Sequence, residues 1–94
     1  MDLTRDTATE KAKADLARRT GASSDSITVV SVDEKDFPDM SLGAPVDGEM
    51  SAQMISSGWQ INLDADGSRY DYRADKYQLR LADWQGTNHL IEVE

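Results

Sequence analysis

The feature that most constrains this chain is strict alternation between residues 59 and 81. Trp59, Ile61 and Leu63 alternate with Gln60, Asn62 and Asp64; Tyr70 and Tyr72 alternate with Arg69, Asp71 and Arg73; Leu79 and Leu81 alternate with Gln78 and Arg80. A period of two puts successive side chains on opposite faces of a strand. Asp66-Gly67 separates the first two runs, the residue pair that a tight hairpin turn demands, and Ala74-Asp75-Lys76 separates the next two. The pattern predicts an antiparallel β-meander with one apolar and one polar face. On the polar face Arg69, Arg73 and Arg80 stand among Asp64 and Asp71, and cross-strand pairing with those two acids is the expected use of the arginines. The apolar face must be covered by something else in the chain.

Residues 4–20 supply the cover. Ala8, Ala12 and Leu16 recur at helical spacing and Ala17 widens the stripe. Thr7 and Glu10 have capping-box spacing, Asp15 follows Lys11 by four, Arg18 and Arg19 suit the last turn, and Gly21 suits the position just past the end. So small an apolar face contributes little burial, so the helix depends on the sheet. Ile27 to Val32 reads as a strand rich in β-branched residues, apolar on both faces and therefore expected to be central or well covered. Residues 33–50 read as a long irregular loop broken by Phe37-Pro38-Asp39, Gly43-Ala44-Pro45 and Asp47-Gly48, with Phe37, Met40, Leu42 and Met50 pinning it to the core edge. Gln53-Met54-Ile55 is expected to form a short strand or bulged extension, which makes the meander 53–82. The tail, 83–94, reads either as an edge strand or as loose chain. The expected fold is α+β: a single domain over residues 1–94, with an N-terminal helix packed on one face of an antiparallel sheet of about four strands.

Composition bounds the function classes. The chain has 94 residues, 38% of them apolar, enough for one thin core. With no cysteine it has no disulfides, thiolate metal sites or thiol nucleophile. The formal charge of -8 opposes nucleic acid and anionic membrane surfaces as partners. No apolar run exceeds two residues, so neither a membrane span nor a signal peptide is expected, and a cytoplasmic setting is slightly favoured. The charge is concentrated: residues 22–68 carry nine acids and one cation, so a charged partner is expected to be basic and to meet the loop region.

Two family resemblances follow from quoted residues. Ala14-Asp15-Leu16-Ala17-Arg18-Arg19, Gly21 and Ile27-Thr28-Val29-Val30-Ser31-Val32 resemble the start of small uncharacterised bacterial domains. In those, a loop of the form W-P-D-G-S-L-G-C-P-x-P-G follows, and this chain reads Phe37-Pro38-Asp39-Met40-Ser41-Leu42-Gly43-Ala44-Pro45-Val46-Asp47-Gly48. Gln53 to Ile61 with Gly67, Tyr70, Asp71 and Tyr72 is similar to the family's next run, so the likeness spans roughly Ala12 to Lys76. Phe37, Met40 and Ala44 depart from the motif, and Ala44 removes any thiol role. The order of helix then meander is also similar to PepSY-type and cystatin-like modules, which implies binding or inhibition of proteases; Gln53 to Gly58 resembles the cystatin Q-x-V-x-G wedge with one residue too many.

Other constellations read as structure. Asn62, Asp64, Asp66 and Gly67 match the first half of a calcium loop, but Arg73 stands where a bidentate glutamate belongs and both flanks alternate as strands, so a hairpin turn is the expectation and weak calcium binding the alternative. The acids Asp33, Glu34, Asp36, Asp39, Asp47 and Glu49 read as a solvated loop or a docking face. His89, in an expected Gly86-Thr87-Asn88-His89 turn, reads as an incidental surface residue. No catalytic residue, metal site or cofactor is expected. The favoured function is a non-enzymatic interaction module for a protein with a basic face. Its binding residues are Phe37, Pro38, Asp39, Met40 and Leu42 of the acidic loop, with Trp84 as a further interface anchor. A protease inhibitor or propeptide-like module is the alternative, and a weak calcium-binding domain the next.

Overall fold

The computed structural model describes residues 2–94. Helix α1 spans Arg5–Thr20, a single 3-10 turn Ser24–Ser26 follows, and five strands complete the chain: β1 Ile27–Phe37, β2 Ser56–Ala65, β3 Ser68–Ala74, β4 Gln78–Trp84 and β5 Thr87–Val93. The strands form one sheet in sequence order, each pairing antiparallel with the next. The sheet therefore has five strands rather than about four, because the tail continues it: Gln85 and Gly86, with φ of 51° and 82°, turn the chain from β4 into β5. Asp66 and Gly67 do the same between β2 and β3, with φ of 54° and 82°. Each turn is made by two residues with positive φ, the conformation whose twist matches the strands, and Asp83, with φ of 55°, lies at an irregularity in β4 just before the second turn.

The helix covers one face. Ala8, Ala12 and Leu16 are buried against Ile61, Leu63, Tyr72, Leu79 and Leu81, as the alternation and the helical stripe together required. The cap lies one turn earlier than Thr7 and Glu10 suggest. Thr4 is the N-cap: its hydroxyl accepts from the Thr7 amide at 3.2 Å, and the Thr4 amide donates back to the Thr7 hydroxyl at 2.8 Å. Gly21 ends the helix in the left-handed conformation, its N–H donating to the Ala17 carbonyl at 2.9 Å. Lys11 pairs with Glu92 of β5 at 3.1 Å and not with Asp15, since Asp15 is buried and already occupied. It accepts from the Tyr72 hydroxyl and from Arg19 Nε, each at 2.7 Å, and pairs with Arg18. Burial, and donation to that carboxylate, push the Tyr72 phenol well above its ordinary pKa.

Strand β1 corrects two expectations. It runs five residues past Val32, to Phe37, and it is an edge strand rather than a central one. A β-bulge between Val29 and Ser31 leaves Val30 without a partner. The bulge shifts the phase of the alternation, so Val29 and Val32, three apart, stand opposite Leu63 and Ile61 on the helix side. Apolar residues at both parities therefore record a bulge, not burial on two faces, and Val29 and Val30 are exposed. At the other end of β2, a Cβ on Gly58 would lie 2.0 Å from the Ala74 carbonyl oxygen, so only glycine lets β2 approach β3 so closely there.

Candidate functional site

The second face of the sheet carries the long segment between β1 and β2, residues 38–55. Its first half is tightly ordered. Asp39 Oδ1 accepts from the Ser41 amide at 2.9 Å and the Ser41 hydroxyl at 2.5 Å, which hold its carboxyl below its usual pKa. Backbone bonds from Leu42 to Asp39, Ala44 to Ser41 and Glu49 to Val46 wind the segment into turns, and the Met40 amide donates to the Ala52 carbonyl at 3.0 Å.

What fastens these turns to the sheet is a set of side chains from β3, β4 and β5. The carbonyls of Met40, Leu42 and Ala44, two residues apart along the segment, accept from Gln78 Nε2 at 2.6 Å, Arg73 Nη1 at 3.0 Å and Arg80 Nη1 at 3.1 Å. Asn88 Nδ2 donates to the Pro45 carbonyl at 2.8 Å. Arg80 is only 3% exposed; its Nη1 and Nη2 reach the two Glu49 oxygens at 2.6 and 2.5 Å while its Nε donates to Gln78 Oε1 at 2.6 Å. That fork of donors holds the Glu49 carboxyl below its ordinary pKa. The three arginines thus divide. Arg69 pairs with Asp64 across the β2–β3 turn at 3.3 Å, and Arg73 with Asp71 of its own strand at 2.9 Å, while Arg80 is committed to the loop acid Glu49 rather than to Asp64 or Asp71.

The candidate residues separate accordingly. Phe37 and Leu42 are buried and face inward, so they offer a partner no surface; Leu42 sits there with φ of 60°, a conformation uncommon for a branched residue. Asp39 is half-buried and spent on Ser41, Pro38 is exposed, and Met40 is half-buried in the floor of a groove. Trp84 is half-buried at the other end of the sheet, its ring 5.6 Å from that of Tyr70 and 5.7 Å from the Arg19 guanidinium. Met50, expected to pin the loop, is 98% exposed. His89 lies within β5 opposite Leu81 and is half-buried, not in a turn.

The second half of the segment behaves differently. Gln53, Met54 and Ile55 form no strand; β2 begins at Ser56, whose hydroxyl donates to the buried Asp75 at 2.6 Å. Met54 and Ile55 are 64% and 73% exposed. With Met50, Tyr77, Leu90 and Val93, all exposed, they border two shallow grooves that adjoin at Met40 and Tyr77. Sequence reasoning missed Met54, Ile55, Tyr77, Leu90 and Val93 as surface. A signal was present: Met40, Met50, Met54 and Ile55 fall within sixteen residues that have no periodicity, so nothing in the pattern buries them together.

The sequence profile of the domain of unknown function DUF8738 matches residues 9–82. The chain belongs to the DUF8738 family. No curated protein and no solved structure matches it significantly. The DUF8738 match takes in all of α1 past its first turn, both halves of the 38–55 segment and the latching arginines, and ends before β5. Among the described residues no group of three or more His, Cys, Asp or Glu side chains is arranged to hold a metal ion. In the Asn62–Gly67 stretch of this DUF8738 domain Asp64 accepts from the Gly67 amide at 3.2 Å and from Arg69, and Asn62 Nδ2 donates to the Ser31 hydroxyl at 3.0 Å. No helix among the described residues is long and apolar enough to cross a membrane.

Proposed function

We propose that this domain is a non-enzymatic interaction module that offers an apolar surface in an acidic setting to a protein with a basic face. The observation that carries the reading is the concentration of exposed Met50, Met54, Ile55, Tyr77, Leu90 and Val93 on one surface, beside a loop whose backbone is locked in place. Contiguous exposed apolar side chains rimmed by polar groups are characteristic of protein contact surfaces. Methionine, unbranched and polarizable, suits such surfaces because it adapts its shape to what it meets. The 38–55 segment holds Asp39, Asp47 and Glu49 and no lysine or arginine, so the surface favours cationic partners.

Capture of partners from a lysate of the source cells tests the reading. Met54→Lys combined with Ile55→Lys is expected to lose the captured protein, while Val29→Thr combined with Val30→Thr, on the opposite edge, retains it. Equal recovery by both variants removes this surface from consideration. A second reading, a protease-inhibiting or propeptide-like module similar to PepSY and cystatin domains, is supported by the exposure of Gln53, Met54 and Ile55 in the stretch that resembles a cystatin wedge. Absence of inhibition of cysteine and metallo-proteases at micromolar protein disposes of it.

A further inference from the structure

Resting on the interaction reading above, the geometry points to a mode of capture: the partner enters as an extended segment of alternating apolar and Lys or Arg residues, and pairs as a sixth strand with the outer edge of β5. The last strand of an open sheet presents a row of unpaired N–H and C=O groups, a template for another strand. The two edges of this sheet are not equivalent. Each edge strand carries one bulge, β1 at Val30 and β5 at Ile91, but only the β1 edge is also blunted by four consecutive charged residues, Asp33, Glu34, Lys35 and Asp36. The β5 edge, Thr87–Val93, has no proline, lysine or arginine, and its single acid, Glu92, is tied to Lys11.

The β5 edge is also continuous with the apolar surface. Leu90 and Val93 line the same groove as Met40, Met50 and Tyr77. A strand added beside β5 places every second side chain over that groove, so apolar residues at alternate positions fill it. The formal charge of -8 attracts from a distance a segment whose remaining residues are lysine and arginine. The same charge opposes a second copy of this chain as the occupant, because two such molecules repel.

An octapeptide of alternating Lys and Val, titrated into the isotope-labelled chain, tests the proposal. The expected result is amide shift changes concentrated at residues 87–93 and at Met50 and Tyr77, with slowed hydrogen exchange along β5. Methylating alternate backbone nitrogens of the peptide, in both phases, is expected to weaken binding at least tenfold, as is Leu90→Lys in the protein, whose exposed position leaves folding intact. Equal binding by the methylated peptides overturns strand addition while leaving the contact surface standing. Shift changes at β1 instead, or concentration-dependent dimerisation abolished by Leu90→Lys, also overturn it. Failure of every peptide alongside intact partner capture overturns the mode alone; failure of both removes the surface as well.

Discussion

The two faces of this sheet are covered by opposite chemistries. On one, Ala8, Ala12 and Leu16 of α1 rest on Ile61, Leu63, Tyr72, Leu79 and Leu81. On the other, Gln78, Arg73 and Arg80 hold a loop by its carbonyls and by Glu49. Apolar packing contributes in proportion to the area removed from water and specifies position weakly. A buried ion pair recovers little beyond what its desolvation costs, but its hydrogen bonds accept one geometry. The helix side therefore contributes stability. The loop side contributes placement, and what it places is the chain that leads out to Met50, Met54 and Ile55.

That contrast can be broken from either side. The largest effect is expected from Leu16→Ala, which empties a fully buried site on the helix face and is expected to cost about 3 kcal/mol. Chemical denaturation followed by tryptophan fluorescence checks it, with a single transition shifted as a whole. Arg80→Met is next, about 2 kcal/mol, because it removes the donors of Glu49 and of the Ala44 carbonyl but lets both reach water once the loop lifts. Its signature is local: faster hydrogen exchange at residues 40–49 and new proteolysis near Met50, with α1 unchanged. Uniform loss of protection across α1 and the loop in Arg80→Met would mean that the arginine serves the whole fold and that the two faces are not separate.

The same contrast explains how much the sequence disclosed. Periodicity reports burial by packing, so the helix and the meander were legible, from the Ala8-Ala12-Leu16 stripe to the alternation of residues 59–81. It carries no information about which acid a buried arginine will choose. Glu49, thirty-one residues before Arg80, was indistinguishable from the other loop acids, while Asp64 and Asp71 were nearer at hand. Asp15 was hidden likewise, since a carboxylate on a helix looks solvated until a tyrosine from β3 reaches it. Phe37 and Leu42 looked like recognition residues because a loop without periodicity gives no inward direction, and the residues that do face out, Met54 and Ile55, resembled the start of a strand.

Smaller effects sharpen the comparison on the loop side alone. Gly43→Ala is expected to cost about 1 kcal/mol, since φ there is 69° and the new Cβ would lie 2.8 Å from Arg73 Nη1. It should disturb the Arg73–Leu42 bond and speed exchange in the loop, whereas Gly48→Ala, with nothing within 4 Å, bears only the backbone penalty. A loop exchanging alike in both variants would remove Arg73 from the latch.

The finest discrimination is by pH. Glu49 is faced by Arg80 from β4 and by the Val46 amide of its own loop, with Asp39 nearby on Ser41, and both carboxyls are held below their ordinary values. A carboxyl lowered on folding adds stability that is fully present above its unfolded value, about 4.3 for glutamate, and is lost as pH falls through the folded one. Acid therefore acts on the loop face through Glu49 and Asp39, while the apolar contacts of Ala8, Ala12 and Leu16 have no proton to gain and the one buried carboxylate of α1, Asp15, is held by Tyr72 and Arg19. On lowering the pH from 6 toward 3, amide signals of residues 41–49 should shift and broaden before those of the Ala8–Leu16 turns. Glu49→Gln should show the loosened loop already at pH 6 and little further change. Simultaneous loss of both sets of signals at one pH, identical in wild type and Glu49→Gln, would show that the two faces open together and that the Arg80 latch sets no boundary between them.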